Sequence, residues 1–321
     1  MTSRPGSPTI RIGISACLLG EPVRFDGGHK RDSFLVETFG RHVEWVSVCP
    51  EVESGLPTPR DTLRLVTADG RLRMVVPKTG LDHTDAMRTY ARRRVAELAE
   101  AGLCGFVLKK DSPSCGMERV KVYDARGTPT RSARGLFAQA LIEAVPVLPV
   151  EEEGRLCDPR LRENFVERVF AYRRLRDLFV PRWSIGDLVQ FHTAHKLLLL
   201  AHSPTVYAAL GRLVAHAKDL GRPVVRERYE HEFMAALAIV ATPRRHVNVL
   251  QHMAGYFRDE LDPGDRRELS DLVEQYRLGL VPLVVPITMV QHHVRRLGVE
   301  YLAGQVYLAP HPRELMLRNH V

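Results

Sequence analysis

The sequence lacks any apolar run approaching the ~20 residues of a membrane span. Runs such as Leu197–Ala201 and Leu280–Val285 stop far short. The opening stretch, Met1–Ile10, is mostly polar and carries two prolines where a leader would carry an apolar core, so no signal peptide, no membrane partner and a cytoplasmic location are expected. Paired C-x₂-C knuckles are absent, and the five cysteines are an odd number. In a reducing compartment that count argues against a disulfide framework and makes each cysteine a buried apolar residue, a reactive thiol or a metal ligand. There is also no Lys/Arg-rich tail, no zinc-finger spacing and no basic block interleaved with aromatics. The net charge of +8 is spread along the whole chain. It reads as a solvated arginine-rich surface, compatible with phosphate or nucleic acid without demanding either.

What is present is ordinary globular composition, 45% hydrophobic and 26% charged, over 321 residues. That length predicts two domains. The first half alternates strand and helix signals. Strands are predicted at Thr9–Ala16, Val43–Val48, Gly105–Lys109 and Val145–Val150. A hairpin is predicted from Leu63–Val66 and Leu72–Val76 around Ala68-Asp69-Gly70-Arg71. Helices are predicted at Arg31–Arg41, Thr84–Ala101 (Asp82 the cap, Gly102 the stop) and Ala133–Ala144. Such alternation predicts an α/β domain with a mainly parallel, Rossmann-like sheet. Beyond Glu151-Glu152-Glu153-Gly154 strand signals almost vanish. Helical patterns cover Pro159–Phe179, Ile185–Ala201, Pro204–Asp219, Val224–Ala241, Arg244–Glu260, Arg266–Leu278 and Val285–Leu297, an all-α bundle. The expected division is an α/β domain over 8–155, a helical linker over 156–182 and an all-α domain over 183–319.

Cys17, Cys49 and Cys115 each follow a predicted strand, Cys115 by a short loop. Ligands collect at the carboxyl ends of parallel strands, so three loops at that edge bring three thiols together although they lie far apart in sequence. Cys104 precedes a strand, at the opposite edge, and Cys157 precedes the linker helix; both read as structural. Glycine or proline closely follows each of the three, permitting tight turns whose N–H groups point at sulfide or an anion. Polar residues crowd the same loops: Ser15, Arg24, Asp26, Glu51, Arg60, Lys110, Ser112 and Ser114. Three chemistries fit. Zinc takes three cysteines and one further ligand. A lone nucleophilic cysteine wants a histidine, for which His29, His42 and His83 are the local choices. A 4Fe–4S cluster on three thiolates keeps one iron open for Lewis-acid work.

The segments ISACLLGEPVRFDGGHK (Ile14–Lys30), VCPEVESGLPTPR (Val48–Arg60) and LKKDSPSCG (Leu108–Gly116) resemble the signature blocks of the thiouracil desulfurase (TudS-type) family. The resemblance covers roughly residues 8–155, with the blocks in order. It implies a 4Fe–4S cluster on Cys17, Cys49 and Cys115 with one iron not ligated by cysteine. It also implies non-redox removal of sulfur from a thiolated uracil base, thiouridine nucleoside or nucleotide, with release of hydrogen sulfide. Glu51 and Ser112 match residues the family uses in catalysis, Glu51 as base toward water and Ser112 as hydrogen-bond donor or proton relay. Ser15, Arg24, Asp26, Arg60, Lys110 and Ser114 are the expected substrate or phosphate contacts. Ser54 departs from the small residue common in its block. Outside the resemblance, Glu51 also reads as a helix N-terminal carboxylate and Ser112 as a turn residue. The rival functions are a non-catalytic tRNA or nucleic-acid binder with a structural metal on these cysteines, and a thiol or redox sensor.

In the helical half, His192, His195 and His202 share one helix face with Lys196 nearby. Asn248, Gln251, His252 and Tyr256 form a second polar stripe, and Gln291, His292 and His293 a third cluster. Together they predict a polar pocket inside the bundle. The segments FHTAHKLLLLAH, HVNVLQHMAGYF, YRLGLVPLVVPITMVQHH and QVYLAPHPRELMLRN resemble the YbgA-type domain, which carries no settled activity. The sequence leaves the oligomeric state open.

Overall fold

A computed structural model of the chain describes residues 9–321. The polar start Met1–Pro8, and position 8 as the first domain's beginning, lie outside the described residues. The chain divides between Cys157 and Asp158 into two compact units.

The first unit is built on two four-stranded sheets. Its elements in order are β1 (Arg11–Ser15), β2 (Glu44–Val48), α1 (Pro50–Glu53), β3 (Arg64–Ala68), β4 (Arg71–Val75), α2 (Thr84–Glu100), β5 (Phe106–Leu108), β6 (Val120–Tyr123), β7 (Pro129–Ala133), α3 (Leu136–Ala144) and β8 (Val150–Glu152). The first sheet has the order β2-β1-β5-β8 and is parallel throughout, as expected for a Rossmann-like layer. Its central strand buries Ile12 and Ile14 completely. Gly13 sits between them because a Cβ there would lie 2.1 Å from Cδ2 of Phe106 on β5. Phe106 in turn packs on Phe137 of α3 (5.8 Å between centroids), which meets Tyr90 of α2 at 6.4 Å. The two long helices are thus joined to the sheet by an aromatic seam.

The second sheet, β4-β3-β6-β7, is mixed: two antiparallel hairpins meet along a parallel β3–β6 pair. Its first hairpin is the expected one; β6 and β7 were not foreseen, although Val120 and Val122 alternate with polar residues and Asp124-Ala125-Arg126-Gly127 turns between them. Two further boundaries are corrected. The helix placed at Ala133–Ala144 begins at Leu136, and the strand placed at Val145–Val150 falls instead at Val150–Glu152, because Pro146 and Pro149 have no N–H for a ladder. Arg31–Arg41 is no α-helix. It is a π turn, Phe34–Thr38, followed by a 3₁₀ turn, Phe39–Arg41. The wider turn stacks Phe34 on Phe39 (6.0 Å) and sets Phe39 edge-on to Trp45 (5.7 Å), contacts that outweigh regular helix geometry.

The second unit is all-helical, as expected: α4 (Pro159–Leu178), α5 (Ile185–His202), α6 (Pro204–Ala215), α7 (Ala217–Leu220), α8 (Arg222–Ala238), α9 (Pro243–Gly255), α10 (Pro263–Arg277), α11 (Val284–Leu297) and α12 (Glu300–Ala303). Four of these helices start with a capping side chain followed by proline: Asp158, Ser203, Thr242 and Asp262 each accept a hydrogen bond from the first turn. The cap satisfies an orphan N–H, and proline occupies a position whose N–H needs no partner. Among the described residues no helix is long and apolar enough to cross a membrane.

The core of this unit contains a buried ion network. Arg318 donates to Glu163 (3.0 Å), Glu167 (3.1 Å) and the Tyr307 carbonyl (2.6 Å). Glu167 also meets Nε2 of His202 at 2.5 Å, while Nδ1 of His202 faces the Ile239 carbonyl at 2.6 Å. Burial pushes Glu167 upward, but His202 and Arg318 outweigh it and hold the carboxyl at about 2. Burial carries Glu163 the other way, to about 7. Removing Arg318 takes the shared guanidinium from two buried carboxylates, leaving Glu167 with His202 and Glu163 with the more distant His320. Arg318→Leu is therefore expected to destabilise the helical unit by about 3–5 kcal/mol, read as a lower urea midpoint, whereas Arg228→Ala on the exposed face of α8 leaves the midpoint in place.

Candidate active site

In the register of the parallel sheet Ser15 pairs with Val48, so β1 and β2 end level. Cys17 lies in the single 3₁₀ turn Ala16–Leu18 that follows β1. Cys49 follows β2 directly and is the N-cap residue of α1, with Pro50 in the first position. The loop after β5 carries Cys115 and is closed by α3, whose first N–H groups, from Leu136, Phe137 and Ala138, donate to the Pro113 and Ser114 carbonyls at 3.0–3.1 Å. Gly135 makes that closure possible, since a Cβ there would lie 2.5 Å from the Ser114 carbonyl.

All three thiols line one cavity of about 390 Å³. Ser15, Arg24, Glu51, Arg60, Lys110, Ser112 and Ser114 line it too. Asp26 stands outside the lining, turned back onto the Gly28 N–H at 3.0 Å and onto Arg24 at 3.5 Å. Cys104 is buried before β5, its N–H on the Arg11 carbonyl at the far end of the sheet, and Cys157 is exposed. Burial pushes the Cys17 thiol up to about 11 against the pull of Lys109, with Cys49 adding to the rise. Burial also raises Cys49 and Cys115, and the neighbouring sulfurs raise Cys115 further. The thiols therefore feel one another, and a metal-free site holds them protonated.

Glu51 and Ser112, the two residues expected to act in catalysis, both line this cavity. Glu51 Oε2 takes two hydrogen bonds from Arg60, at 3.0 and 2.6 Å. Arg60 is further held by the Val23 and Pro57 carbonyls, so it braces Glu51 rather than standing free for a phosphate. Glu51 Oε1 accepts a short bond from Ser114 (2.7 Å) and only a long one from Ser112 (3.5 Å). Ser112 Oγ instead accepts the N–H groups of Ser114 (3.2 Å) and Cys115 (3.1 Å). This corrects the expectation of free amides in the Cys115 loop: Ser112 consumes them. At Cys49 the backbone N–H groups of Val52 and Glu51 work against burial and lower the thiol.

Two supports escaped sequence reasoning. Glu53 accepts the Cys49 N–H (2.8 Å) and the Tyr90 hydroxyl (2.6 Å) and pairs with Arg94 (3.2 Å), tying the Cys49 turn to α2. The run Glu151-Glu152-Glu153, read only as a boundary, clamps the Cys115 loop from β8. Glu152 accepts the Met117 N–H (2.7 Å), and Glu153 accepts the Lys110 N–H (2.7 Å) and pairs with the Lys109 ammonium beside Cys17. Three adjacent glutamates at a strand end were the available signal.

Among the described residues no three His, Cys, Asp or Glu side chains converge on one ion-sized point. All three cysteines line the same cavity, where cationic Lys109 and Arg24 act on Cys17. Three cysteines with cations beside them suit an anionic iron–sulfur cluster.

The pocket expected in the helical half does not form as one site. Asn248, Gln251, His252 and Tyr256 are exposed, while His192, His195 and His202 are buried and Lys196 half-buried. His192 bonds the Tyr229 hydroxyl at 3.0 Å and His195 the Phe191 carbonyl at 2.7 Å among aromatic rings. Of this group His202 lines a cavity. Helical spacing brought polar residues onto common faces but left open whether each face turned to core or solvent.

Residues 12–153 match the family model described as 2-thiouracil desulfurase. The first half of the chain belongs to the 2-thiouracil desulfurase family. Residues 196–312 match a family of unknown function, DUF1722. The uncharacterized protein YbgA of Escherichia coli is 33% identical over 50% of this chain and 95% of its own length, and the chain belongs to its family as well. The uncharacterized protein YbbK of Bacillus subtilis is 29% identical over 33% of this chain and 72% of its own. A solved structure of a 4Fe–4S-dependent thiouracil desulfidase, TudS, is 31% identical, covering 49% of this chain and 99% of its own, with a TM-score of 0.40.

The raised thiols of the desulfurase-family unit give a direct expectation. In metal-free protein at pH 8, iodoacetamide labels exposed Cys157 first, and Cys17, Cys49 and Cys115 follow slowly, Cys17 faster as pH approaches 11 because only the thiolate reacts. Peptide mapping by mass spectrometry reads the order.

Proposed function

We propose that the desulfurase-family unit removes sulfur from a thiolated uracil, as base, nucleoside or nucleotide, by a non-redox route that releases hydrogen sulfide. Cys17, Cys49 and Cys115 would hold a 4Fe–4S cluster with one iron free of cysteine. The observation that carries this reading is a single cavity bearing three thiols and a carboxylate whose two oxygens have different partners. The family of the first half supports it.

When bound, such a cluster supplies a soft Lewis acid for a thiocarbonyl sulfur. The remaining chemistry belongs to the side chains. Exchange of C=S and water for C=O and hydrogen sulfide moves protons but no net electrons, so the site needs a base and a relay. Arg60 fixes Glu51 Oε2 and leaves Oε1 as the oxygen that takes a proton from water. Ser114, at 2.7 Å from Oε1, is the relay, while Ser112 keeps the Cys115 loop in shape through two N–H groups. Arg24 and Lys110 line the cavity as cations for an anionic part of the substrate. The Lys109–Glu153 pair holds an ammonium near Cys17, favouring its thiolate.

Anaerobically purified protein is expected to be brown and to carry iron and acid-labile sulfide in equal amounts; bound zinc in their place points to the non-catalytic rival. Cys17→Ala loses both the colour and sulfide release from 2- or 4-thiouracil compounds, and a Cys17→Ala protein that keeps both sinks the reading. Glu51→Gln keeps the cluster and lowers kcat by roughly 10²–10⁴-fold, with Ser114→Ala also lowering kcat rather than raising KM.

A further inference from the structure

The helical unit has a cavity of its own, about 180 Å³, beside the buried ion network. Asn164, Tyr276 and His246 line it and are only 7%, 8% and 9% exposed. Each keeps a polar atom without a protein partner. Asn164 Nδ2 donates to the Leu237 carbonyl at 2.9 Å, which leaves Oδ1. His246 Nδ1 is engaged by the Tyr307 hydroxyl at 2.7 Å, which leaves Nε2. The Tyr276 hydroxyl has no partner among the described residues, and none of the three atoms is sealed from solvent. Unpaired but reachable, the three atoms are hydrogen-bonding groups that a ligand entering the cavity can take up.

The acids of the lining are already matched: Glu167 by Arg318 and His202, Glu163 by Arg318 and, at 3.6 Å, His320. What remains unpaired is a carbonyl acceptor, an imidazole nitrogen and a hydroxyl, set among apolar faces from Val240, Pro243 and Leu283. A mixed donor and acceptor set between apolar walls suits a flat heterocycle carrying ring N–H and C=O groups. The volume takes one such ring and leaves anything attached to it at the mouth. There the lining includes exposed Arg160, which forms no ion pair among the described residues, and Arg277, which is held by Glu274 at 2.6 Å. The mouth therefore offers an unmatched guanidinium, a good partner for phosphate.

We infer that the helical unit binds a pyrimidine nucleoside monophosphate in this cavity, the base against Asn164, His246 and Tyr276 and the phosphate on Arg160. The site is separate from the cysteine cavity. The test is calorimetric titration of uridine monophosphate, uridine and adenosine monophosphate into the full-length, cluster-loaded protein. Arg160→Ala is expected to weaken uridine monophosphate at least tenfold while leaving uridine unchanged, and Asn164→Ala to abolish the binding of both. Iron content and desulfuration stay at the wild-type level in both variants. Because Arg160 is exposed, its variant keeps the test decisive if Asn164→Ala fails to fold. Absence of uridine monophosphate binding, or binding that Arg160→Ala leaves untouched, overturns the inference. Adenosine monophosphate bound as tightly as uridine monophosphate overturns its single-ring part.

Discussion

The parallel pairing of β1 with β2 and β5 is the constraint on which the first unit depends. Strands that run the same way and end level deliver their following residues to one edge, whatever their separation in sequence. Ser15 opposite Val48 fixes that edge. Cys17 and Cys49 then lie two residues and one residue beyond it, and the loop after β5 brings Cys115 back to the same cavity. A slip of one residue in this register would turn every buried side chain of β1 to the other face. Gly13 resists the slip, because only there does the strand have room for Phe106.

Around the thiols most charged groups are committed. Glu51 is held by Arg60, Glu53 by Arg94 and Tyr90, and Lys109 by Glu153. Each pair spans two segments of chain, so each both fixes a charge and holds a loop. Neutral pairs also keep the cavity from accumulating charge of one sign before its thiols ionise. This explains why the carboxylate and the serines can sit next to three sulfurs: the acid's charge is answered by Arg60, which is itself anchored to two carbonyls. The geometry divides labour between two serines that are equivalent in sequence terms, Ser112 serving backbone N–H groups and Ser114 serving Glu51.

That division marks the limit of what the sequence makes legible. The alternation of strand and helix, the hairpin at Asp69-Gly70, the cap-then-proline helix starts and the shared edge of Cys17, Cys49 and Cys115 all follow from local patterns. The partners of Glu51, Glu53 and Glu153 do not: Arg60 and Ser114 lie 9 and 63 residues from Glu51, Tyr90 37 from Glu53, and Lys110 and Lys109 43 and 44 from Glu153, and no periodicity encodes such distances. The π turn at Phe34–Thr38 was hidden for a related reason. Its cause is a tertiary aromatic contact with Trp45, which overrides the helical propensity of the segment. In the helical half, spacing correctly grouped His192, His195 and His202 on one face. It left unspecified that the first two would be spent on Tyr229 and a backbone carbonyl, and the third on Glu167.

The two units thus use buried polarity in different ways. In the first, ion pairs ring a cavity and leave sulfur and one carboxylate oxygen available. In the second, Glu163, Glu167, His202 and Arg318 satisfy one another in the core, a costly arrangement that well-packed apolar residues could replace without loss of stability. Beside this network lie Asn164, His246 and Tyr276, mostly buried side chains that line a cavity. The network's fixed charges orient the cavity's neighbours: Arg318 also holds the Tyr307 carbonyl, and the Tyr307 hydroxyl holds His246, so that Nε2 of His246 is left facing the cavity. The position of that one nitrogen is thus fixed through a chain that begins at two carboxylates on α4.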